Sequence, residues 1–222
     1  MIKAENITKI YRNGPIEFAA LRDVSLHVSP GEFVGIMGRS GSGKSTLLYQ
    51  MSLLDRPTSG SVTINGIDAG QLDERSRTDL RLALLGYVFQ EYALLPELTA
   101  EENVALPMLM LGWDAKEART RAAAALERVG LGAKLNNLPS MLSGGEQQRV
   151  SIARAIGHGS TILFADEPTA NLDTDTAAKV MSTFRDLHHS GHTIVMVTHE
   201  DEFRAVFDRV VRLSDGRIVE GA

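Results

Sequence analysis

The residues with the clearest chemical potential lie together between Gly38 and Thr46, where the chain reads G-R-S-G-S-G-K-S-T. Gly, four residues, then Gly-Lys-Ser is the spacing of a phosphate-binding P-loop. Glycines 38, 41 and 43 allow backbone conformations that a Cβ forbids, so successive N–H groups can turn inward onto phosphate oxygens. Lys44 brings a positive charge to the β- and γ-phosphates, and the Ser45 hydroxyl suits a magnesium ion. Thr46 to Met51 reads as helix, which puts the phosphates at a helix N-terminus. Glu32 to Met37 is an apolar run with the length of a buried strand. Strand, glycine loop and helix therefore follow in the required order. The loop implies a bound nucleotide and is silent on its fate.

Two further stretches carry chemistry. Thr161-Ile162-Leu163-Phe164-Ala165 has the composition of a buried strand and ends in Asp166 and Glu167. Ligands of open α/β sheets bind outside the carboxyl ends of the strands. A P-loop protein needs a carboxylate there for magnesium, which suits Asp166, and Glu167 beside it can polarise an attacking water. The plainer reading is a pair of solvated acids opening a loop. Leu142-Ser143-Gly144-Gly145-Glu146-Gln147-Gln148 precedes an amphipathic helix with Val150, Ala153 and Ile156 on one side. Ser143 and Glu146 have the spacing of a capping box. Gly144 and Gly145 weaken a first helical turn and make sense where something approaches that backbone closely. This is a second candidate anion site.

The elements that must position these residues can be read from periodicity and turn signals. Strands are expected over Ile2 to Tyr11, Ala19 to Val28 and Phe33 to Met37, with Ser61 to Ile64 entering a hairpin at Asn65-Gly66. A helix is expected over 73–84 and a strand over Leu85 to Phe89. From 91 to about 157 the pattern turns helical, with Glu101 to Leu111, Ala115 to Val129 and Gly145 to Ile156. Alternation resumes with a strand at Thr161 to Asp166, a helix at Thr174 to His189 and a strand at Thr193 to Thr198. A short helix at Glu200 to Phe207 precedes strands at Arg209 to Leu213 and Arg217 to Val219. Such alternation predicts an α/β fold with a largely parallel sheet covered on both faces.

Composition sets outer bounds. A chain of 222 residues with 43% hydrophobic and 23% charged residues is ordinary for a globular protein with one sizeable core. A net charge of −5 argues against nucleic acid as the main partner. Zero cysteines exclude disulfides and thiolate metal sites. The N-terminus lacks a signal-peptide layout. The longest apolar run, Val104 to Trp113, is interrupted by Pro107 and Gly112 and falls short of a bilayer span.

Together these motifs resemble those of ABC ATPases. Leu142 to Arg149 is similar to that family's signature sequence. Its order relative to the P-loop, Gln90, Asp166-Glu167 and His199 matches the family along essentially the whole chain. Phe89-Gln90 through Leu94-Leu95-Pro96, Glu102-Asn103-Val104 and Ala165 to Asp173 resemble one branch. It holds the ATPase subunits of lipoprotein-releasing, macrolide-efflux and antimicrobial-peptide-resistance transporters. Two spellings depart from the commonest pattern: Glu146 replaces a glutamine, and Gly157-His158-Gly159-Ser160 replaces an Asn/Asp-Pro turn. The resemblance implies an α/β P-loop NTPase of ABC type forming one domain over 1–222. A mostly parallel core sheet would carry an N-terminal antiparallel β subdomain. A helical subdomain at about 91–157 would be inserted in a core of 1–90 plus 158–222.

The resemblance also implies ATP and Mg2+ as cofactors. Gly38, Ser40, Gly41, Ser42, Gly43, Lys44, Ser45 and Thr46 would hold the phosphates. Tyr11 would stack on the adenine, although by itself a tyrosine at a strand end reads as surface packing. Ser45, Gln90 and Asp166 would hold the metal, and Gln90 would also contact the attacking water and report to a membrane partner. Glu167 would be the general base, with Lys44, Gln90 and His199 completing the catalytic set; by itself His199 reads as a structural histidine. Ser143, Gly144 and Gly145 would meet the γ-phosphate on the P-loop of a second copy, with Asp173 across the same interface. Two chains would thus sandwich two ATP head to tail. Without the family, Asp173 reads equally well as a helix cap.

A separate transmembrane permease and no nucleic acid are the implied partners, with the chain cytoplasmic on the inner face of the membrane. The implied work is export or extraction of a membrane-embedded substrate. The leucine-rich run Tyr92 to Leu98, leading out of Gln90, is the expected docking place, unless Leu94, Leu95 and Leu98 pack inside the helical block. A non-transport ABC ATPase of the DNA-repair or chromosome-maintenance type is the alternative. It would usually carry coiled-coil or zinc insertions for which this chain has no room. A P-loop kinase leaves Leu142 to Gln148 and His199 unexplained.

Overall fold

The computed structural model describes residues 2–220, apart from the side chain of Asn13. In chain order the elements are β1 (Ile2–Asn13), β2 (Ile16–Val28), β3 (Phe33–Met37), α1 (Lys44–Met51), β4 (Ser59–Ile64) and β5 (Ile67–Asp68). There follow α2 (Glu74–Leu84), β6 (Leu85–Val88), α3 (Ala100–Met110), α4 (Ala115–Arg128) and α5 (Gly144–Gly157). The chain continues through β7 (Ile162–Asp166), α6 (Thr174–His189), β8 (Thr193–Val197), β9 (Arg209–Ser214) and β10 (Arg217–Glu220). Two compact units emerge, Met1–Arg81 with Gly191–Ala222, and Leu82–Ser190.

The first unit contains an antiparallel sheet in the order β2-β1-β4-β5 and a set of strands in the order β10-β9-β3-β8. Asn65 (φ 49) and Gly66 (φ 84) form the expected left-handed pair between β4 and β5. β1 and β2 pair as far as Asn13↔Ile16, beyond the expected ends at Tyr11 and Ala19. Gly14-Pro15 is thus a two-residue hairpin turn rather than a long break. β8 and β9 both run parallel to β3, and β10 is antiparallel to β9. Every residue of β3 and β8 is buried, as in strands covered on both faces. Leu47, Leu48 and Met51 of α1 are buried, and the helix packs on β8, β1 and β2.

In the second unit β6 and β7 run parallel, with Val88 opposite Ala165. α5 packs on β6, and α3, α4 and α5 pack on one another. α4 buries Ala118, Ala122, Ala125 and Leu126, a one-sided stripe at helical spacing. Thr99 and Glu102 cap α3 reciprocally. Pro107 lies inside this helix, as the expected span of Glu101 to Leu111 required. It sits in the last turns, where α3 gives up the one bond that proline cannot donate. Among the described residues no helix is long and apolar enough to cross a membrane.

Candidate functional site

In the first unit the glycine loop leaves the end of β3, and His199 lies just past β8, the parallel neighbour of β3. Ile36 pairs with Val197, and the Thr198 amide donates to the Ile36 carbonyl at 3.2 Å. The loop and the exposed His199 therefore leave the sheet from the same end. Arg39, Ser40 and Gly41 form the exposed tip of the loop, whereas Ser42 and Lys44 are buried. The Lys44 ammonium donates to the carbonyls of Gly38 at 3.0 Å and Arg39 at 3.2 Å, bracing the loop from within. Gly43 caps α1 in a left-handed conformation (φ 101), and no side chain caps that N-terminus. A Cβ there would lie 2.6 Å from the Ala20 carbonyl oxygen, so conformation and space both demand glycine. Ser45 and Thr46 follow in the first turn.

Contacts far away in sequence hold this loop. The Gly216 amide in the β9–β10 turn donates to the Ser42 carbonyl at 3.0 Å, and its own carbonyl accepts from Arg22 N at 2.8 Å. The Ser42 hydroxyl is buried without a hydrogen-bond partner. On β1, Tyr11 is 41% exposed, its hydroxyl donates to Asp55 at 3.3 Å, and the Lys9 ammonium lies 5.1 Å from the ring centroid. Lys9 in turn pairs with Asp55 at 2.8 Å. Nothing in the spelling of 9–11 or 55 announces this anchor, because it joins residues 44 positions apart.

In the second unit Gln90 follows β6, and Asp166 ends β7 at 6% exposure. Glu167 comes next with φ 44, a left-handed conformation costing a side-chain-bearing residue about 1–2 kcal/mol. The exposed Gln90 lends its carbonyl to Asn171 Nδ2 at 3.4 Å, in the loop that leads from Glu167 to α6. Asp173 caps α6 by accepting from Thr176 N at 3.0 Å. Ser143 caps α5, and the predicted box is present, with Ser143 Oγ accepting from Glu146 N and Glu146 accepting from Ser143 N.

The close approach expected at Gly144 and Gly145 exists, but the approaching groups belong to this chain. A Cβ on Gly144 would lie 2.8 Å from the Tyr92 hydroxyl, and one on Gly145 would overlap the Thr176 γ-methyl. These glycines are explained by packing against the Gln90 segment and the start of α6. Leu95 is 43% exposed, with Leu94 and Leu98 half-buried.

Sequence reasoning passed over Arg154. Burial depresses the pKa of its guanidinium, which donates to the carbonyls of Tyr92 and Ala93. Arg154 shares its side of α5 with Gln147 and Ser151, so the residue types around it gave no signal.

Residues 21–170 match the family model described as ABC transporter. The chain is 48% identical over 219 residues to the lipoprotein-releasing system ATP-binding protein LolD of Aquifex aeolicus, covering 99% of this chain and 96% of that protein. It is 45% identical over 219 residues to the macrolide export ATP-binding/permease protein MacB of Neisseria meningitidis. There it spans 99% of its own length but 34% of the relative's. Among solved structures, the dimeric post-hydrolysis state of the ATP-binding cassette MJ0796 bound to ADP and Pi superposes with a TM-score of 0.92. That match is at 41% identity and covers 100% of this chain and 98% of the other.

Proposed function

The chain belongs to the ABC transporter family, and from that membership we propose that it binds and hydrolyses ATP as a head-to-tail dimer driving a separate permease. The observation that carries this reading is the N-terminus of α1, capped by no side chain, with buried Lys44 beside it. Its first-turn N–H groups lack intrahelical acceptors and point along the helix dipole, which is the arrangement that receives a phosphate.

Gly38 to Thr46 hold the phosphates, and Tyr11, with Lys9 near its ring, stacks on the adenine. Glu167 draws the proton from the attacking water, and His199 donates to the γ-phosphate. Magnesium suits the donor set, since Ser45, Gln90 and buried Asp166 offer only hard oxygen ligands. When bound it neutralises charge on the β- and γ-phosphate oxygens. The first turn of α5 serves the γ-phosphate held by the partner copy: the capping box satisfies Glu146 N and leaves the amides of Gly144 and Gly145 at the tip. Asp173 lies at the same interface.

The helical block at 91–157 carries the exposed Leu95, on which a permease docks. The lipoprotein release and macrolide export for which LolD and MacB are named favour export or extraction as the work done, and the chain does this work at the cytoplasmic face of a membrane.

Glu167→Gln tests the chemistry. It keeps the shape, removes the base, and should lower ATP turnover roughly 10²–10⁴-fold while ATP still binds. Turnover at the parental rate would reassign the base.

A further inference from the structure

The segment after Gln90 is held in a conformation that its own sequence does not favour. Tyr92 (φ 60) and Ala93 (φ 50) both occupy the left-handed region, which residues with a Cβ adopt reluctantly. Two in succession persist only where the surroundings hold them. Those surroundings come from α5. Arg154 donates to the Tyr92 carbonyl at 2.9 Å and to that of Ala93. Further up the helix, Gln148 Nε2 donates to the Phe89 carbonyl at 3.3 Å. At its head the Tyr92 hydroxyl lies against Gly144. The segment is thus tied to three levels of one helix, whose first turn carries Gly144 and Gly145.

We propose that Arg154 is a positioning residue that fixes the Gln90 segment to α5 by bracing the left-handed pair Tyr92-Ala93. The proposal rests on the reading of the α5 first turn as the second phosphate contact, and it adds a residue belonging to none of the motifs. A planar guanidinium reaches two adjacent carbonyls at once, whereas lysine is a single point donor. With the brace in place, Gln90 and the exposed Leu95 follow every movement of the α5 first turn. Without it, the pair relaxes to right-handed or extended backbone and the coupling is lost.

The test uses Arg154→Met and Arg154→Lys in the Glu167→Gln chain. Hydrogen exchange of the amides at 91–95 should quicken about tenfold, on the scale of the left-handed penalty. The ATP concentration giving half-maximal dimer should rise by about the same factor. Affinity for a fluorescent ATP analogue, measured on the monomer, should stay at the parental value. Adding Ala93→Gly to Arg154→Met should recover part of both losses, because glycine accepts a positive φ without penalty. A residue that merely stabilises α5 would show no such recovery. Unchanged exchange at 91–95 in both Arg154 variants, or no recovery by Ala93→Gly, overturns the proposal. Should Arg154→Met fail to fold, Arg154→Lys carries the same two readouts. If the Glu167→Gln parent itself does not dimerise, the sandwich reading fails, and exchange at 91–95 still decides the role of Arg154.

Discussion

Two helices of this molecule begin at glycine, and they use it in opposite ways. At α1 the glycine is the cap itself: Gly43 turns left-handed, no side chain closes the end, and strands β2 and β9–β10 clamp the loop from outside. At α5 the end is closed by the Ser143–Glu146 box, and the glycines within the first turn make room for Tyr92 and Thr176. On the proposed reading, the open end receives its ligand directly on the first-turn amides. On the same reading, the capped end keeps only its outermost amides and is carried against a phosphate already held by the partner copy. The pair teaches that glycine in a first turn does not by itself mark a phosphate site; what fills the space above it decides.

The sharpest way to break that contrast is at α1. Lys44→Ala removes both the internal brace across Gly38 and Arg39 and a charge-assisted phosphate contact. ATP affinity should fall about 10- to 100-fold, and turnover with the membrane partner present should fall with it. Parental affinity in a folded Lys44→Ala chain would show that the open end is not the primary site.

A smaller effect is expected at α5, and on stability. Gly145→Ala puts a methyl onto Thr176, an overpacking cost of about 1–3 kcal/mol, set against a helix gain of roughly 1 kcal/mol. In a Thr176→Ser background the clash is gone, so the same change should be neutral or stabilising by urea titration. Equal destabilisation in both backgrounds would contradict the packing account.

Least of all should come from the cap. Ser143→Ala should cost about 1 kcal/mol, or about 2–4 °C in Tm for a chain of this size. Glu146, the other half of the box, is held below its ordinary pKa of 4.5, first by the Ser143 amide and then by Lys134. A depressed carboxylate stabilises while ionised, so its contribution is complete above that ordinary value and disappears as pH falls through the lower folded one. Glu146→Gln should flatten that part of the Tm–pH curve; an unchanged acid limb would show that the box adds no stability.

Most of this was legible in the residues. Helix α6 is read to the residue because Asp173 and the apolar periodicity mark it clearly, and the Asn65-Gly66 hairpin follows from turn chemistry. The loop at 38–46 and the acids at 166–167 stand out in the sequence because the chemistry proposed for them constrains residue type. What escaped was the set of supports at long range. Gly216 behind Ser42, Asp55 behind Tyr11, and Arg154 behind Tyr92-Ala93 are common residue types in unremarkable settings, and their roles come from backbone groups that a sequence does not display. The purpose of Gly144 and Gly145 was half legible: the demand for space could be read, and the identity of the occupant could not.

The central claim is that the open end of α1 and the capped end of α5 meet across two copies with ATP between them. Light scattering on size exclusion, with Glu167→Gln protein and excess ATP, tests it most directly. The account predicts a dimer holding two ATP, which reverts to monomer when ATP is removed. A monomer at saturating ATP, with ATP bound to the chain, would contradict it.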